Sequence, residues 1–291
     1  MEKVKIIADS GCNVDLDLAK KYNIRILPFN IHFKNESYVD LIELSRKDFF
    51  EKYKQSEERV KTSTPSIGDF LKILEQEYQK GYRHFISFSI TKKFSGMNQM
   101  MEIAKEEFLS EKEDVKIEVI DTNTATTASI YPVIKAAELS NEGHDVDFIV
   151  EKTKENLKYC NVSGVVNNFN ALSRGGRLPK AIGKFATLIS FSPVLCIENG
   201  EITIIKKVTG KKKSYKALIK HLKKLCKKYP TYHLIIGGGD SSEELEILKQ
   251  GLKEEIKKAE QFDLIDITPV IGSHLGNKVV LCSVFPGKNE K

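Results

Sequence analysis

Short apolar runs alternate with amphipathic stretches along the whole chain. Residues 4–8 form an apolar-rich run that ends at Asp9-Ser10-Gly11, the pattern of a buried strand. Residues 15–22 predict a short helix, and residues 24–33 a second strand in which Pro28 demands an edge or a bulge. Ser45-Arg-Lys-Asp48 and Ser66-Ile-Gly-Asp69 are acidic variants of the capping box. They open a helix over residues 49–53 and another running from Ser66 to Gln79, the latter ended by Gly81. Residues 85–88 and 115–120 predict strands, with a helix over 96–108 between them. A long helix ending near Asn141 and a further one over 147–158 follow.

The second half has a different rhythm. Residues 162–166 predict a strand, and 168–173 a short helix stopped by Gly175-Gly176. Residues 193–197 and 202–206 flank Glu198-Asn-Gly200, a hairpin signal. A lysine-rich helix comes next, then a strand over 234–236 that ends in Gly237-Gly-Gly-Asp240. One helix is expected over 241–259, and the last strands over 264–267 and 279–284. Alternating strands and helices argue for an α/β fold: two α/β domains with largely parallel sheets, the second with a mixed sheet and the hairpin. The expected division is 1–160 and 161–291, with the chain free to cross between the two.

Composition narrows the class. A length of 291 residues suits two domains, and 41% apolar with 30% charged residues excludes a wholly disordered chain. No stretch of ~18 apolar residues occurs, so no membrane span is expected. The first residues, Met-Glu-Lys-Val-Lys-Ile-Ile-Ala-Asp9, enter a strand-like run instead of a signal-peptide core, which makes a cytoplasmic location the expectation. Five cysteines lie far apart with no C-x-x-C spacing, and His221 and His233 lack helical metal spacing. Neither disulfides, nor a metal site, nor a cofactor is expected.

Charge is unevenly spread. The net value is +6, yet residues 206–228 alone hold eleven lysines and no acid, so the rest of the chain is net acidic. Leu218, Leu222 and Leu225 recur there at helical spacing, which makes the lysines a solvated helix face. The same patch would suit phosphates, transient contact with an anionic membrane surface, or an acidic protein. No nucleic-acid motif accompanies it, and nucleic acid is not an expected partner.

The informative chemistry lies where strands end, the usual place for ligands in open α/β sheets. Thr62-Ser63-Thr64-Pro65-Ser66 puts hydroxyls at a helix start whose cap is either Thr64 or Ser66, an anion site in principle. Ser95 is expected at the N-cap of the next helix, with Gly96 permitting close approach to the backbone. Plain helix capping is the alternative reading of both. Arg174-Gly-Gly-Arg177 either holds a guanidinium near an anion or braces its loop. Pro269-Val-Ile-Gly-Ser-His274-Leu-Gly276 places His274 in a Gly-rich loop, as a structural residue or a hydrogen-bond partner of a ligand headgroup. Enzyme signatures fail: there is no Walker loop, no G-x-S-x-G, and Gly237-Gly-Gly-Asp240 does not match G-x-G-x-x-G. Ser95 and His274 could form a nucleophile and base, but the sequence names no third residue to orient them.

In order along the chain, these segments resemble the DegV family of bacterial fatty-acid-binding proteins. The resemblance is carried by Ile-Ala-Asp9-Ser10, Ile26-Leu27-Pro28-Phe29, Tyr38-Val-Asp40, Thr62-Ser63-Thr64-Pro65-Ser66 and Phe94-Ser95-Gly96. It continues through Leu172-Ser-Arg-Gly-Gly-Arg177-Leu, Pro193-Val-Leu, Asn199-Gly200-Glu-Ile and Gly272-Ser-His274-Leu-Gly276. It implies a long-chain fatty acid such as hexadecanoate buried between two α/β domains, its carboxylate held by hydroxyls. Carried over by position, Thr62 and Ser95 are the principal headgroup ligands, and Ser63, Gly96, Arg177 and His274 the further candidates. Some members resemble the B subunit of bacterial fatty acid kinase. That likeness implies a non-catalytic carrier presenting its ligand to a separate ATP-binding subunit that forms an acyl phosphate. Where the family often has Lys-Val-Arg, associated with kinase docking, this chain has Lys207-Val208-Thr209. Gly276-Asn-Lys278 and Gly96-Met-Asn98 also depart from the family pattern. The alternative from another class is an acyl hydrolase or acyl-transfer enzyme using Ser95 and His274. Burial of a methylene contributes ~0.8 kcal/mol, so a sixteen-carbon tail would contribute on the order of 10 kcal/mol before association costs.

Overall fold

The computed structural model describes residues 3–56, 58–167, 169–179, 182 and 191–287. In the first half, β1 (Val4–Asp9), β2 (Ile24–Leu27), β6 (His84–Ser89) and β7 (Lys116–Asp121) form a four-stranded parallel sheet in the order β2-β1-β6-β7. All six residues of β1 are buried, as a central parallel strand requires. A small antiparallel sheet of β4 (Ser37–Val39), β3 (Asn30–His32) and β5 (Lys61–Ser63) lies apart from it. The single strand expected over 24–33 is therefore two strands in two sheets. Pro28 lies between them, and Phe29 donates its backbone N–H to Ser10 Oγ at the switch.

The helices of this half are α1 (Leu16–Tyr22), α2 (Arg46–Gln55), α3 (Ile67–Gln79), α4 (Met97–Glu111), α5 (Thr127–Glu142) and α6 (Val146–Asn156). Ser45 caps α2, and Ser66, not Thr64, caps α3 in a reciprocal box with Asp69.

The second half holds α7 (Phe169–Arg174), β8 (Ser163–Val166), β9 (Val194–Glu198), β10 (Glu201–Lys206), α8 (Lys211–Cys226) and β11 (Tyr232–Gly239). Asn168, the expected first residue of the short helix, lies outside the described residues. It ends with α9 (Ser242–Gly251), α10 (Lys253–Lys258), β12 (Gln261–Asp266), α11 (Pro269–Leu275) and β13 (Val279–Pro286). Its six strands run in the order β10-β9-β8-β13-β11-β12, with only β11 and β12 parallel. The parallel sheet and this mixed sheet with its hairpin form the α/β fold that the strand–helix alternation predicts. The hairpin turn has Asn199 at φ 50 and Gly200 at φ 79, the positive pair of a type I′ turn.

Two sequence expectations change here. β11 runs on through Gly237, Gly238 and Gly239, which pair with Leu281, Val280 and Val279. The glycines fit a strand because a Cβ on Gly239 would come within 2.6 Å of Phe50 and 2.7 Å of Ile267. The expected helix over 241–259 is broken at Leu252 (φ −111), so α9 and α10 are separate.

Strand alternation gives the mixed sheet two apolar faces. Val166, Leu195, Val279 and Leu281 join the core shared with the first half. Val165, Val194, Val280 and Cys282 pack with α8 and α9 on the far side. On α8 the buried stripe is Ser214, Tyr215, Leu218, Leu222 and Cys226, while Leu225 is only partly buried. Most of its lysines face solvent, as amphipathic spacing predicts. Strands before residue 122 all belong to the first two sheets, and those after 162 to the third. Late in the chain, α11 packs on α2, β3 and β5. Among the described residues, no helix is long and apolar enough to cross a membrane.

Candidate functional site

The inner face of the mixed sheet lies opposite the strand ends and loops of the first half, and the two do not meet fully. A narrow cavity of about 100 Å³ separates them. Ile90 from the first half and Val166, Leu195, Ile202, Ile271 and Leu281 from the second line its wall, which is overwhelmingly apolar. Four of the six residues singled out by sequence also line it: Thr62, Ser95, Arg177 and His274.

Register decides which hydroxyl of the Thr62-Ser63 pair faces inward. Thr62 pairs with buried Ile31 on β3, and its Oγ1 lies 2.8 Å from His274 Nε2. Ser63, one residue on, points to the other face, where its Oγ meets His32 Nε2 at 2.9 Å. Ser63 is not part of the cavity lining. The anion site considered for the start of α3 is already filled by the chain itself. Asp69 Oδ2 accepts from the Ser66 backbone N–H at 2.9 Å and from its hydroxyl at 2.7 Å.

Ser95 is not the N-cap of α4. Gly96 occupies that position, and Ser95, one residue earlier, accepts the Met97 N–H at 3.1 Å. The backbone at Gly96 curls without positive φ, so the cap shifts by one residue and Ser95 keeps its hydroxyl at the cavity. Gly96 does not line the cavity, and a Cβ there would meet nothing within 4 Å.

His274 sits on a helix, not in a loop. Thr268 is the N-cap and Pro269 takes the first helical position, where its fixed φ favours a start. Gly272, which had suggested a loop, is a close-packing residue: a Cβ there would lie 2.5 Å from Phe49. Asn13 anchors the segment by accepting the Thr268 N–H at 2.8 Å and donating to Asp266 O at 3.0 Å. Thr268 Oγ1 donates to Ser10 O at 3.0 Å. These bonds span some 250 residues of sequence, which is why no local pattern foretold them.

Arg177 acts as a brace. It donates from Nε to Phe94 O at 3.0 Å and from Nη1 to Gly175 O at 2.8 Å, and Nη1 lies 3.3 Å from His274 Nδ1. Arg59, which the sequence reading missed, donates to the same Gly175 carbonyl at 2.9 Å. No motif surrounds Arg59, so nothing in the sequence marked it. Neither arginine forms an ion pair with a carboxylate among the described residues, so this end of the cavity is electropositive. Burial lowers the Arg177 pKa, and the neighbouring Arg59 lowers it further.

The same surroundings set the state of His274. Burial first, then Arg177 and Arg59, push its pKa down to about 3, with the Gly175 carbonyl opposing them. The ring is therefore neutral at physiological pH. Arg177 can only donate, and Gly175 O already accepts from two guanidinium groups. Nδ1 is thus left as acceptor and the proton sits on Nε2, assigned from the network. Nε2–H then donates to Thr62 Oγ1, which frees the Thr62 hydroxyl proton for another acceptor. The order is Arg177 to His274 to Thr62 to cavity. Ser95 Oγ accepts the Met97 N–H and His274 Nε2 lies against Thr62 Oγ1, so among the described residues the two side chains are not hydrogen-bonded to each other.

Fold and site define a class: a two-part α/β protein enclosing apolar space with a small polar end rich in donors. The chain belongs to the DegV family. The profile described as "Uncharacterised protein, DegV family" matches residues 3–286. A DegV domain-containing protein of Clostridium acetobutylicum is 30% identical over 287 residues, covering 98% of this chain and 99% of that protein. A fatty acid binding DegV family protein from Streptococcus agalactiae superposes with a TM-score of 0.87 at 25% identity, over 99% of this chain and 100% of that one. The Streptococcus pneumoniae fatty acid kinase B3 protein, loaded with linoleic acid, shares the fold at 23% identity. Its TM-score is 0.82, over 97% of this chain and 99% of that one.

Proposed function

We propose that this protein is a non-catalytic carrier of a long-chain fatty acid, with the tail in the cavity and the carboxylate at Thr62 and Ser95. The observation that carries the reading is the pairing of an apolar cavity with a single donor-rich end, where Arg177 and His274 orient the Thr62 hydroxyl. Burial of the tail supplies most of the affinity, at ~0.8 kcal/mol per methylene before association costs. The headgroup end contributes orientation, because a buried carboxylate must be met by donors. Arg59 and Arg177 add positive potential, and among the described residues neither is paired with a carboxylate. His274 and Arg177 belong to this site as supports of Thr62, and Ser63 and Gly96 lie beyond it.

The carrier works in the cytoplasm and presents its bound acid to a separate ATP-binding subunit, which makes the acyl phosphate. The fatty-acid-binding relative and the kinase B protein of the same fold support this role. Thr209 stands where a docking arginine is common in the family, so the flanking lysines would carry that contact here.

The test is extraction of the purified protein followed by mass spectrometry, with an esterase assay beside it. A free long-chain acid and no turnover are expected. Thr62→Val combined with Ser95→Ala should cut retained fatty acid at least tenfold, since each lost charged hydrogen bond costs ~1.5–3 kcal/mol. Unchanged ligand content in the double variant, or a covalent acyl adduct on Ser95, would overturn the reading.

A further inference from the structure

The buried stripe of α8, made of Ser214, Tyr215, Leu218, Leu222 and Cys226, fixes which side chains point straight away from the molecule. At 3.6 residues per turn, Lys213, Lys216, Lys220, Lys224 and Lys227 fall opposite that stripe, within an arc of about 80°. All five are exposed, and at ~1.5 Å per residue they form a row roughly 21 Å long. Among the described residues, none of the five forms an ion pair. On the flank, Lys211 is answered by Glu243 and Glu244 of α9, and Lys223 by Glu255 of α10. The other acids of those two helices, Glu246 and Glu254, pair with Lys249 and Lys257 of their own helices. The row therefore faces outward with its charge uncompensated.

Helix stability does not account for this arrangement. Lys212, Lys216, Lys220 and Lys224 follow one another at i,i+4 spacing, where like charges repel. Lys211, Lys212 and Lys213 fill the first turn, at the positive end of the helix dipole, with no acid among them. By contrast, the first turns of α2, α3, α6, α9 and α10 all carry acids. Exposed faces elsewhere mix the two signs, as in Lys105–Glu102 and Lys152–Glu155. A mixed face would keep α8 equally soluble without the repulsion, so the row calls for an anion outside the chain.

The side chains say what kind of anion it is. Every exposed residue from 211 to 228 is a lysine, and residues 206–228 contain no arginine. Lysine is a mobile point charge without the rigid fork of arginine, so it suits a diffuse negative surface better than a single phosphate or carboxylate held in fixed geometry. The row has no exposed aromatic or aliphatic side chain. It therefore lacks the anchors of a stable protein interface and the platforms on which bases stack. We propose that this face of α8 docks the protein on an anionic phospholipid surface. The contact is electrostatic and shallow, because the apolar side of the helix is already packed on the mixed sheet. It is salt-sensitive and reversible for the same reason. The cavity lies on the other side of that sheet, so the docking face does not rest on what the cavity holds.

The experiment measures binding of the full chain to vesicles of phosphatidylcholine alone and of phosphatidylcholine with about 30% phosphatidylglycerol. The native chain should bind the anionic vesicles at least tenfold more tightly at about 50 mM salt and lose that preference at about 500 mM. Combining Lys213→Gln, Lys216→Gln, Lys220→Gln, Lys224→Gln and Lys227→Gln should abolish the preference. This variant should melt no lower than the native chain, since it relieves repulsion along the helix. A control carries the same change of charge on exposed lysines of other helices and loops: Lys20→Gln, Lys47→Gln, Lys92→Gln, Lys154→Gln and Lys158→Gln. It should keep most of the preference. An equal loss in the control would reduce the effect to net charge and overturn the proposal. So would a native chain with no preference for anionic vesicles, or one whose preference ignores salt. Tighter binding at about 150 mM salt to random-sequence duplex DNA or to polyglutamate than to the anionic vesicles would assign the face to nucleic acid or to an acidic protein instead. Protein stripped of lipid should dock as the native chain does, so an empty cavity would defeat the carrier reading and leave this one standing.

Discussion

Thr62 and Ser63 carry the same functional group one residue apart, yet only Thr62 meets the cavity. The sequence marked both, because a motif names residue types and not the face of a three-residue strand whose partners lie 31 positions away. Arg59 left no mark because its role comes from sharing a carbonyl with Arg177 across 116 residues. His274 was visible as a residue but not as a state. Its neutrality follows from burial beside two arginines, which only the folded chain brings together. That neutrality predicts a pH effect. Folded His274 resists protonation until about pH 3, whereas the unfolded ring takes a proton below its ordinary value of 6.5. Stability is therefore lost as pH falls from 6.5 toward 3, by up to ~1.4 kcal/mol per unit. Asp9 and Asp40 act in the opposite sense. Their carboxyls keep a proton up to about 7 in the fold against 3.8 outside it, so they add stability as pH falls through that window. His274→Gln preserves an acceptor for Arg177 and a donor for Thr62 while removing the first effect. Urea unfolding at pH 7 and pH 5 should show the variant losing less stability on acidification, or gaining more, by about 1–2 kcal/mol. Identical pH slopes for the two proteins would refute the neutral-ring assignment.

At the scale of elements, capped helices and the hairpin were legible because their signals are local. Ser45 and Ser66 each accept the backbone N–H three residues on, and Asn199-Gly200 forms the turn its sequence demands. What misled was glycine. In β11 and α11 it reads as loop, but at Gly239 and Gly272 it is required by neighbouring Phe50, Ile267 and Phe49 side chains from distant segments. The hairpin has a second duty that its own residues do not reveal. Gly200 O accepts from Thr91 Oγ1 at 3.3 Å, and Glu201 pairs with Lys93 at 2.9 Å, so the turn grips the loop that carries Ser95. A Cβ on Gly200 would lie 2.5 Å from Thr91 Oγ1 and 2.6 Å from Asn123 Oδ1, at a backbone φ of 79. Gly200→Ala should cost ~1–3 kcal/mol in denaturant unfolding and speed the loss of bound ligand. A variant as stable and as retentive as the native chain would mean that the turn does not hold this loop.

The whole molecule places its cavity between two bodies that share a core but meet through separate ties. Asn13 to Asp266 and Thr268, Thr127 to Ser283 at 2.7 Å, Lys54 to Asp240 at 2.7 Å and the Gly200 grip join the halves around the cavity. The lysine-rich helix packs on the opposite face of the mixed sheet, so its charge and the cavity are handled by different surfaces. A tail in the cavity would touch both bodies at once, Ile90 and Phe29 on one side and Leu195 and Leu281 on the other. It would therefore bind the assembled pair and not either half alone, and certainly not the unfolded chain. Linkage then makes the ligand a structural part: at a hundred times its Kd it adds about 2.7 kcal/mol to unfolding. For a chain of this size that is several degrees in Tm. Delipidated protein should melt correspondingly lower. Added palmitate should restore the midpoint in a concentration-dependent way, and a ten-carbon acid should restore less because it buries fewer methylenes. If delipidated and palmitate-saturated protein melted together, the cavity would not be where the acid is held, and the two bodies would owe their union to the protein ties alone.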